Sequence, residues 1–323
     1  MRNVVYTRAL NEAIAEEMAR DESVFLIGED IADACGVFGV TSGMVSRFGP
    51  ERVRQTPISE AAFMGLAVGA AMAGLRPVVE IMYVDFFTVC ADQILNQAAK
   101  LRYMSGGKVS IPMVIRTQQG GGTCEAAQHS QNLEAIFAHV PGLKVAIPAT
   151  PRDAKGLLKS AIRDDNPVVF LEHKLLYDIK GELPVGEYVI PLGEADVKRE
   201  GGDITVIATS LMVHKALAAA ETLAGEVSVE VIDPRTVTPL DFDCIAASVD
   251  KTGRLLVVQE AWTSGGFGSE IVRRVAEECF ESLVAPPRVL GSADVPMPFS
   301  PPLEQAVLPD EESIIAAILD FVR

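Results

Sequence analysis

Short apolar runs alternate with helical patterns along most of this chain, and this alternation limits the fold more than any other feature of the sequence. Strands that are buried on both faces of a parallel sheet read as continuous apolar runs. Their alternation with helices is typical of a parallel sheet covered by helices on both sides. In the first half of the chain, strand-length runs lie at 24–27, 77–81, 113–116, 143–147 and 168–171, and helical patterns lie at 6–18, 85–103, 131–139 and 150–163.

The alternation stops at 178–203, a segment with two prolines, several glycines and many charges. We interpret this segment as a linker with room for a short hairpin. A second alternating series occupies 204–290, and an amphipathic pattern at 314–322 predicts a last helix. The predicted fold class is therefore α/β, with two doubly wound domains. The predicted boundaries are 1–180 for the first domain, 181–202 for the linker and 203–323 for the second domain.

The net charge of the chain argues against two classes of binding partner. The net charge is −16, from 28 Lys+Arg against 44 Asp+Glu, which argues against nucleic acid and against an anionic membrane surface. No apolar run reaches the roughly 18 residues that span a bilayer, and the first ten residues do not resemble a signal peptide. The five scattered cysteines predict free thiols in a reducing compartment. We therefore expect a cytoplasmic globular protein, and the 49% hydrophobic content predicts contacts with other subunits.

Glu60 is the first candidate for chemistry, because the fifteen residues that follow it contain no charged side chain. Ser59 is a plausible helix cap, so the pattern predicts Glu60 in the first turn of a tightly packed, buried helix. A buried carboxylate is costly without a partner, and it can share a proton with a ring nitrogen. The alternative is an exposed first-turn glutamate that complements the helix dipole. The pattern alone leaves both interpretations open.

Other candidates follow the ends of predicted strands, where parallel α/β sheets bind ligands. These segments are 28–30, 83–87 and 117–131. The last contains three consecutive glycines, which let a backbone approach a ligand closely, and then Gln-His-Ser-Gln at 128–131. A histidine between two amides suits proton transfer or anion stabilisation. The alternative for His129 is a cap or an interface histidine without a catalytic role.

Six ordered segments carry a family resemblance. They include FGPERVRQTPISEAAFMGLAVGAAMAGLRPVVEIM at 48–82 and AQHSQNLEAIFAHVPGLKV at 127–145. This set resembles the β subunit of the thiamine-diphosphate-dependent first component of 2-oxoacid dehydrogenase complexes, within the transketolase-like group. The resemblance is specific for the family and carries little information on the substrate. The other segments lie at 92–107, 161–177, 229–241 and 293–309.

The resemblance implies an N-terminal pyrimidine-binding domain, a C-terminal transketolase-like domain and roles for individual residues. Glu60 matches the glutamate that hydrogen-bonds the aminopyrimidine ring of the cofactor and drives it to its imino tautomer. Phe86 matches the aromatic residue that stacks on this ring, and Ile58 and Glu29 match positions beside it. His129 matches the histidine that orients the substrate carboxylate and assists acyl transfer to a lipoyl group.

Two metal ions are implied as well. Potassium is held in relatives mostly by backbone carbonyls. Magnesium binds the cofactor diphosphate through a Gly-Asp-Gly motif, which this sequence lacks. We therefore expect half of a cofactor site, with magnesium held by a separate α subunit in an α2β2 assembly, and with the C-terminal domain docking to a lipoyl acyltransferase core. The potassium positions are Met113, Ala161, Ile162, Asp164 and Asn166.

The sequence departs from the family pattern in the loop before His129. Ala126-Ala127 stands where many relatives have Gly-Pro, and Cys124-Glu125 is unusual there. These departures bear on the conformation of the loop.

The expected activity is oxidative decarboxylation of a 2-oxoacid with transfer of the acyl group to lipoamide. Acetoin is the alternative substrate, cleaved by the same cofactor chemistry. A non-catalytic assembly subunit is a further alternative, against which Glu60 and His129 argue. A nicotinamide-linked dehydrogenase is a third: Gly266-Phe267-Gly268 matches part of a dinucleotide fingerprint, but Ile271 stands at its third small position.

Overall fold

The computed structural model describes residues 1–32 and 36–322, which form two compact units. The first unit combines Met1–Gln119 with Ile136–Leu192. The second combines Gly120–Ala135 with the chain from Gly193 onward. The loop that carries His129 therefore belongs to the second unit, although it lies within the first half of the sequence.

The chain to residue 183 supplies the elements of the first unit. Six of its strands pair side by side and in parallel, in the order β3-β2-β4-β5-β7-β6. The parallel sheet predicted from the apolar runs is confirmed. The elements are β1 (Arg2–Val5), α1 (Tyr6–Arg20), β2 (Val24–Glu29), α2 (Met44–Phe48), β3 (Val53–Thr56), α3 (Glu60–Met72), β4 (Arg76–Ile81), α4 (Leu101–Met104), β5 (Val114–Gln119), α5 (Glu134–Ala138), β6 (Lys144–Ala146), α6 (Pro151–Arg163), β7 (Val168–His173) and β8 (Lys180–Leu183).

Helices α1 and α6 pack against each other, and their contact joins apolar and charged side chains. The stripe of Leu10, Ile14 and Met18 predicted from the sequence is buried. Behind it Lys159, a fully buried cation, donates to Glu16 at 2.8 Å and to Glu187 at 2.5 Å. Buried ammonium groups persist only when they are paired, so these ion pairs hold the two helices in one register.

Helix α3 differs from its prediction. One face is buried against the unit, including Phe63, Met64 and Ala67. The opposite face is exposed, with Leu66 at 51%, so the prediction of a helix buried on every side is wrong for this chain. Ser59 forms no side-chain cap; its hydroxyl donates to the carbonyl of Pro57 at 3.0 Å. A run without charges predicts that a helix is buried. It does not show whether each face is buried by this chain or by another molecule.

The helical pattern at 85–103 is also interrupted. The structure has a 3-10 turn at Val84–Cys90, a π-helix at Gln93–Ala98 and then α4. Tyr83, just before this stretch, has a φ of 63°, in the left-handed region. Such turns depend on tertiary contacts more than on local propensity, and the apolar pattern does not reveal them.

The second unit contains a five-stranded sheet in the order β14-β13-β10-β11-β9. Its strands are parallel except β9, which runs antiparallel to β11. The hairpin considered for the linker is wrong, because β8 pairs with β1 whereas β9 pairs with β11. The elements are β9 (Asp196–Arg199), β10 (Ile204–Ala208), α7 (Leu211–Thr222), β11 (Val229–Asp233), β12 (Thr236–Thr238), α8 (Phe242–Thr252), β13 (Leu255–Trp262), α9 (Phe267–Glu278), β14 (Arg288–Ser292), α10 (Pro301–Val307) and α11 (Glu311–Val322).

Membrane-spanning helices and disulfides are the two features on which the composition gave an expectation. Within residues 1–32 and 36–322, no helix is long and apolar enough to cross a membrane. Four cysteines, Cys90, Cys124, Cys244 and Cys279, are free thiols. The fifth, Cys35, lies outside the described residues.

Candidate active site

Two carboxylates meet where β2 ends and α3 begins. Glu29 is the last residue of β2 and is buried, whereas Glu60 is the first residue of α3 and is half-buried. Burial raises the pKa of Glu29, and the neighbouring charge of Glu60 raises it further. Glu29 Oε1 also accepts the backbone N–H of Ser59 at 3.3 Å. The structure thus brings together two of the residues predicted beside the pyrimidine, with a carboxyl poised to hold a proton.

Apolar groups flank this pair in the sequence. Ile58 is 81% exposed, so its side chain offers an apolar surface two residues before Glu60. Phe86 is half-buried in the 3-10 turn after β4, with its ring centroid 6.0 Å from that of Tyr83 in an edge-to-face contact. A flat ring that stacks on an aromatic face and hydrogen-bonds at its edge suits such groups.

A buried charge cluster, which the sequence analysis missed, lies inside the same sheet. Arg116 on β5 donates to Glu80 on β4 at 2.6 Å and to both oxygens of Glu172 on β7 at 2.7 Å. The Tyr177 hydroxyl donates to Glu172 at 2.7 Å. Burial raises the pKa of Glu172, although the Arg116 charge opposes this effect. The cluster ties three adjacent strands together. Its sequence signal is a single charged residue within, at the end of or directly after each of three apolar runs.

The loop that carries His129 is attached to β13 by a buried carboxylate. Glu260 Oε1 accepts the backbone N–H of Gly121 at 2.7 Å and the side-chain amide of Asn132 at 3.1 Å. The two donors lie eight residues before and three residues after His129 in the sequence. One carboxylate therefore joins both ends of the loop.

A second buried carboxylate, Glu304 on α10, binds the middle of the loop. Its oxygens accept the backbone N–H of Gly122 at 2.9 Å and that of Cys124 at 3.1 Å. The Cys124 thiol donates to Glu304 Oε2 at 3.2 Å, and this hydrogen bond, with burial, raises the pKa of the thiol. A carboxylate that accepts several backbone donors forms charge-assisted hydrogen bonds, which are stronger than neutral ones.

The loop backbone is strained between these attachments. Gly120 and Gly122 have φ values of 98° and 89°, which glycine adopts freely. Cys124 and Ala126 also lie in the left-handed region, with φ values of 58° and 64°. Such a conformation costs about 1–2 kcal/mol for a residue with a Cβ atom. The departure from the family pattern at Ala126 therefore has a physical cost, which the surrounding contacts must outweigh.

His129 is half-buried in this loop, and its backbone N–H donates to the carbonyl of Ala126 at 3.4 Å. Next to it, the buried Ser130 hydroxyl has no hydrogen-bond partner among the described residues. His129 belongs to the second unit and Glu60 to the first. Each unit thus carries one of the two predicted catalytic residues.

Glu134 is a further titratable group that the sequence analysis missed. It opens α5 and is buried, and one of its oxygens has no hydrogen-bond partner among the described residues. Burial raises its pKa to about 7, and the charge of Glu260 contributes to the increase. In the sequence it looks like an ordinary first-turn glutamate, and only the fold reveals that it is enclosed.

Comparisons with known proteins place the chain in a family. Residues 2–180 match the transketolase pyrimidine binding domain, and residues 193–314 match the transketolase C-terminal domain. This chain belongs to the transketolase-like family. A solved chain described as a split gene transketolase, an inactive β4 tetramer, superimposes with a TM-score of 0.81 at 22% identity, covering 99% of this chain and 98% of that one. That likeness supports the transketolase fold.

Transketolase-like relatives of high identity are β subunits of dehydrogenase complexes. The acetoin:2,6-dichlorophenolindophenol oxidoreductase β subunit of Cupriavidus necator is 49% identical, covering 96% of this chain and 94% of that one. The 2-oxoisovalerate dehydrogenase β subunit of Bacillus subtilis is 48% identical, covering 98% of each chain. The pyruvate dehydrogenase E1 β subunit of Rickettsia felis is 47% identical, covering 98% and 97%. The resemblance seen in the sequence is confirmed.

The transketolase-like family implies thiamine diphosphate, and the residues present fit one half of it. The buried Glu29 beside Glu60 and the half-buried Phe86 match an aminopyrimidine, which needs a proton partner at its edge and an apolar surface on its face. For the diphosphate, the described residues contain no cluster of three or more His, Cys, Asp or Glu that could hold a metal ion.

Of the five residues predicted to hold potassium in this transketolase-like chain, Ala161 and Ile162 lie in α6, Asp164 and Asn166 lie between α6 and β7, and Met113 directly precedes β5. Arg76 Nη1 donates to the carbonyls of Ile162 at 3.1 Å and Asp164 at 2.9 Å. The carbonyl of Met113 accepts the N–H of Val168 at 2.9 Å. Backbone oxygens of the type that hard cations prefer are present, and potassium would have to share those of Ile162 and Asp164 with the Arg76 guanidinium.

The partial dinucleotide fingerprint has a structural explanation. Gly268, in the first turn of α9, donates its N–H to Gln259 Oε1 at 2.6 Å. A Cβ atom at Gly268 would lie 2.8 Å from that oxygen, and one at Gly266 would lie 2.0 Å from Gln259 Nε2. These glycines are needed for close contact with Gln259, which removes the motif as support for nicotinamide binding.

Proposed function

We propose that this chain is the β subunit of a thiamine-diphosphate-dependent dehydrogenase, which decarboxylates a 2-oxoacid oxidatively and passes the acyl group to lipoamide. The observation that carries the proposal is the meeting of Glu29 and Glu60 at the end of β2, in a domain of the pyrimidine-binding type. The bound cofactor supplies the carbon nucleophile. The chain supplies the groups that hold the pyrimidine and move its proton.

Glu60 exchanges a proton with the aminopyrimidine ring. It lies at the start of α3, next to the buried Glu29. Glu29 holds the first turn of α3 in place through the N–H of Ser59. Phe86 stacks on the ring, and Ile58 covers part of its apolar surface. Burial and the charge of Glu60 raise the pKa of Glu29, so this carboxyl holds a proton more readily than a free side chain does.

His129 acts on the substrate. An imidazole can orient a substrate carboxylate by charge or hydrogen bonding, and it can deliver a proton during acyl transfer. The buried attachments of its loop to Glu260 and Glu304 support a role that requires a defined position.

A separate α subunit supplies magnesium and the diphosphate contacts, in an α2β2 assembly. The exposed apolar face of α3 and the exposed Ile58 support burial against another chain. The C-terminal domain docks to the lipoyl acyltransferase core. Potassium binds mostly through backbone oxygens, and it would stabilise the end of α6. Its ligands are Met113, Ala161, Ile162, Asp164 and Asn166. A cytoplasmic location remains a prediction.

Acetoin is the second candidate substrate. The observation that favours it is the 49% identity to the β subunit of an acetoin:2,6-dichlorophenolindophenol oxidoreductase. The same carboxyl pair and cofactor would cleave acetoin, because both substrates present a carbonyl carbon to the same nucleophile.

The test uses the chain reconstituted with its α subunit and assayed in parallel on pyruvate, branched-chain 2-oxoacids and acetoin. We expect Glu60→Gln to lower turnover of the preferred substrate by about 10²–10⁴-fold, the usual contribution of a general acid–base group. Glu22→Gln, at an exposed glutamate before β2, is the matched control. Gel filtration should show unchanged assembly. Full activity of the Glu60→Gln complex would remove Glu60 from the mechanism, and no activity of the wild-type complex on any of these substrates would refute the proposed function.

A further inference from the structure

Two buried carboxylates of the second unit, Glu260 and Glu304, take no part in the cofactor site described above. They lie on different elements, β13 and α10, that are distant in the sequence. Each accepts at least two hydrogen bonds from the segment 121–132. Burial of two carboxylates is costly, so the fold retains them against a free-energy penalty.

The sheet topology shows why the loop binds here. From β10 the chain passes to β11 on one side, and it later returns to β13 and β14 on the other side. The carboxyl ends of β10 and β13 therefore form the topological switch point, the position at which open α/β sheets bind ligands. Glu260 lies near the carboxyl end of β13 and holds Gly121 there. The protein's own loop takes the place of a small ligand.

The close approach of the loop leaves little space at Gly121. A Cβ atom at this residue would lie 3.2 Å from side-chain atoms of both Met297 and Leu308. The loop is therefore fixed by apolar contact at Gly121 as well as by the two carboxylates. The strained conformations of Cys124 and Ala126 require such external support.

We propose that Glu260 and Glu304 are positioning residues for His129: they hold the loop so that the imidazole stays in place for acyl transfer. Neither carboxylate needs to touch substrate or cofactor. The proposal rests on the proposed function of His129. It predicts a selective defect, because proton exchange with the pyrimidine depends on Glu60 and Glu29 in the other unit, whereas transfer to the lipoyl group depends on the loop.

The experiment uses the complete complex with its α subunit and lipoyl acyltransferase. The variants are Glu260→Gln, Glu304→Gln and His129→Ala, and Glu312→Gln is the control at an exposed residue of the same unit. Gln keeps the size of the side chain but turns an NH₂ group toward backbone N–H donors. If a Gln variant does not fold, Glu304→Asp, which keeps the charge and shortens the reach, replaces it. Hydrogen exchange of peptides covering 118–135 reports on the loop independently of activity.

We expect loop amides to exchange about tenfold faster or more in both Gln variants, the effect of losing one charge-assisted hydrogen bond. Lipoyl-dependent turnover should fall about 10–100-fold, whereas decarboxylation measured with 2,6-dichlorophenolindophenol should change less than about threefold. His129→Ala should lower lipoyl-dependent turnover at least as much as the Gln variants do, without faster exchange of the loop amides.

Three results would overturn parts of this account separately. Unchanged exchange in both Gln variants would overturn the attachment of the loop. Faster exchange with control-like lipoyl turnover would overturn the positioning role. Full lipoyl turnover in His129→Ala would instead refute the proposed function of His129, whatever the loop does.

Discussion

Glu134 shows how strongly the stability of the fold can depend on pH through one buried residue. Its pKa in the folded chain is raised to about 7, chiefly by burial, from an ordinary value of 4.5. The folded state therefore binds this proton more tightly than the unfolded state does. Stability is highest below the ordinary value, falls as pH rises from 4.5 to 7, and stays reduced above it.

We therefore expect Glu134→Gln to stabilise the chain at pH 8. The gain should be about 3–4 kcal/mol, because the pKa is raised from 4.5 to about 7 and each pKa unit corresponds to about 1.4 kcal/mol, and it should vanish below pH 4.5. Urea denaturation of both proteins at pH 4 and pH 8 measures it, with Glu312→Gln as the exposed control. A gain of equal size at both pH values would show that ionisation of Glu134 is not its cause.

Glu60 and Glu134 also show what the sequence can reveal at the residue scale. Both are first-turn glutamates. Glu60 could be selected because fifteen uncharged residues follow it and because long family motifs surround it. Glu134 opens a helix of five residues, too short for a hydrophobic pattern to indicate its burial. The cluster around Arg116 was missed for a related reason, since pairing between three strands is a long-range property.

At the scale of elements, ion pairs of the buried Lys159 attach α6 to Glu16 on α1 and to Glu187 in the segment after β8. Hydrogen bonds from Lys159 and Arg163 lower the pKa of Glu187, so this pairing stabilises the fold above pH 4.5 and is lost as the pH falls toward the lowered value. Hydrogen bonds to Glu16 and Glu187 outweigh burial and raise the pKa of Lys159. The attachment of α6 to the segment after β8 is therefore weakest in acid.

We expect Lys159→Met to lower the free energy of unfolding by about 1–2 kcal/mol at pH 7. This is less than for a fully enclosed pair, because Glu187 is largely exposed and can be hydrated. The deficit should shrink at pH 3.5, because the protonated fraction of Glu187 grows as the pH falls toward its lowered pKa. Urea titrations at the two pH values test this, with Lys108→Met at an exposed lysine as the control. A deficit that does not depend on pH would indicate lost packing instead.

Strands and long helices were predictable because their patterns are local. Buried parallel strands read as apolar runs, and α1 buries the apolar residues that recur every four positions, Tyr6, Leu10, Ile14 and Met18. The interruptions at Val84–Cys90 and Gln93–Ala98 depend on what surrounds them. The same holds for α3, whose outer face looks like a core face in the sequence.

At the scale of the whole molecule, that outer face predicts a partner. We expect Leu66→Gln to weaken association with the α subunit about tenfold, or about 1.4 kcal/mol, if this exposed leucine is buried in the assembly. Folding of the chain alone should be unchanged. Analytical ultracentrifugation of mixtures measures the effect, and Val284→Gln, at an exposed apolar residue of the other unit, is the control. Equal affinities for both variants would exclude the Leu66 face from the contact.

Which segments belong to which unit is the feature that the sequence predicts least well. A linear pattern assigns each segment to the domain of its neighbours, so 117–131 was expected within the first domain. The structure assigns Gly120–Ala135 to the second unit, because backbone donors of this segment meet carboxylates that follow it by more than a hundred residues. No local pattern encodes such a pairing.

The membership of Gly120–Ala135 in the second unit has a consequence for any attempt to express the two units separately. A polypeptide cut between Leu192 and Gly193 would yield two fragments that lack what the other holds. The N-terminal fragment would carry an untethered stretch of backbone, and the C-terminal fragment would expose two acidic side chains with nothing to neutralise them. If the fragments were synthesised separately, neither could form the hydrogen bonds between the loop and these carboxylates. If they were synthesised together, the two fragments could form these bonds by associating.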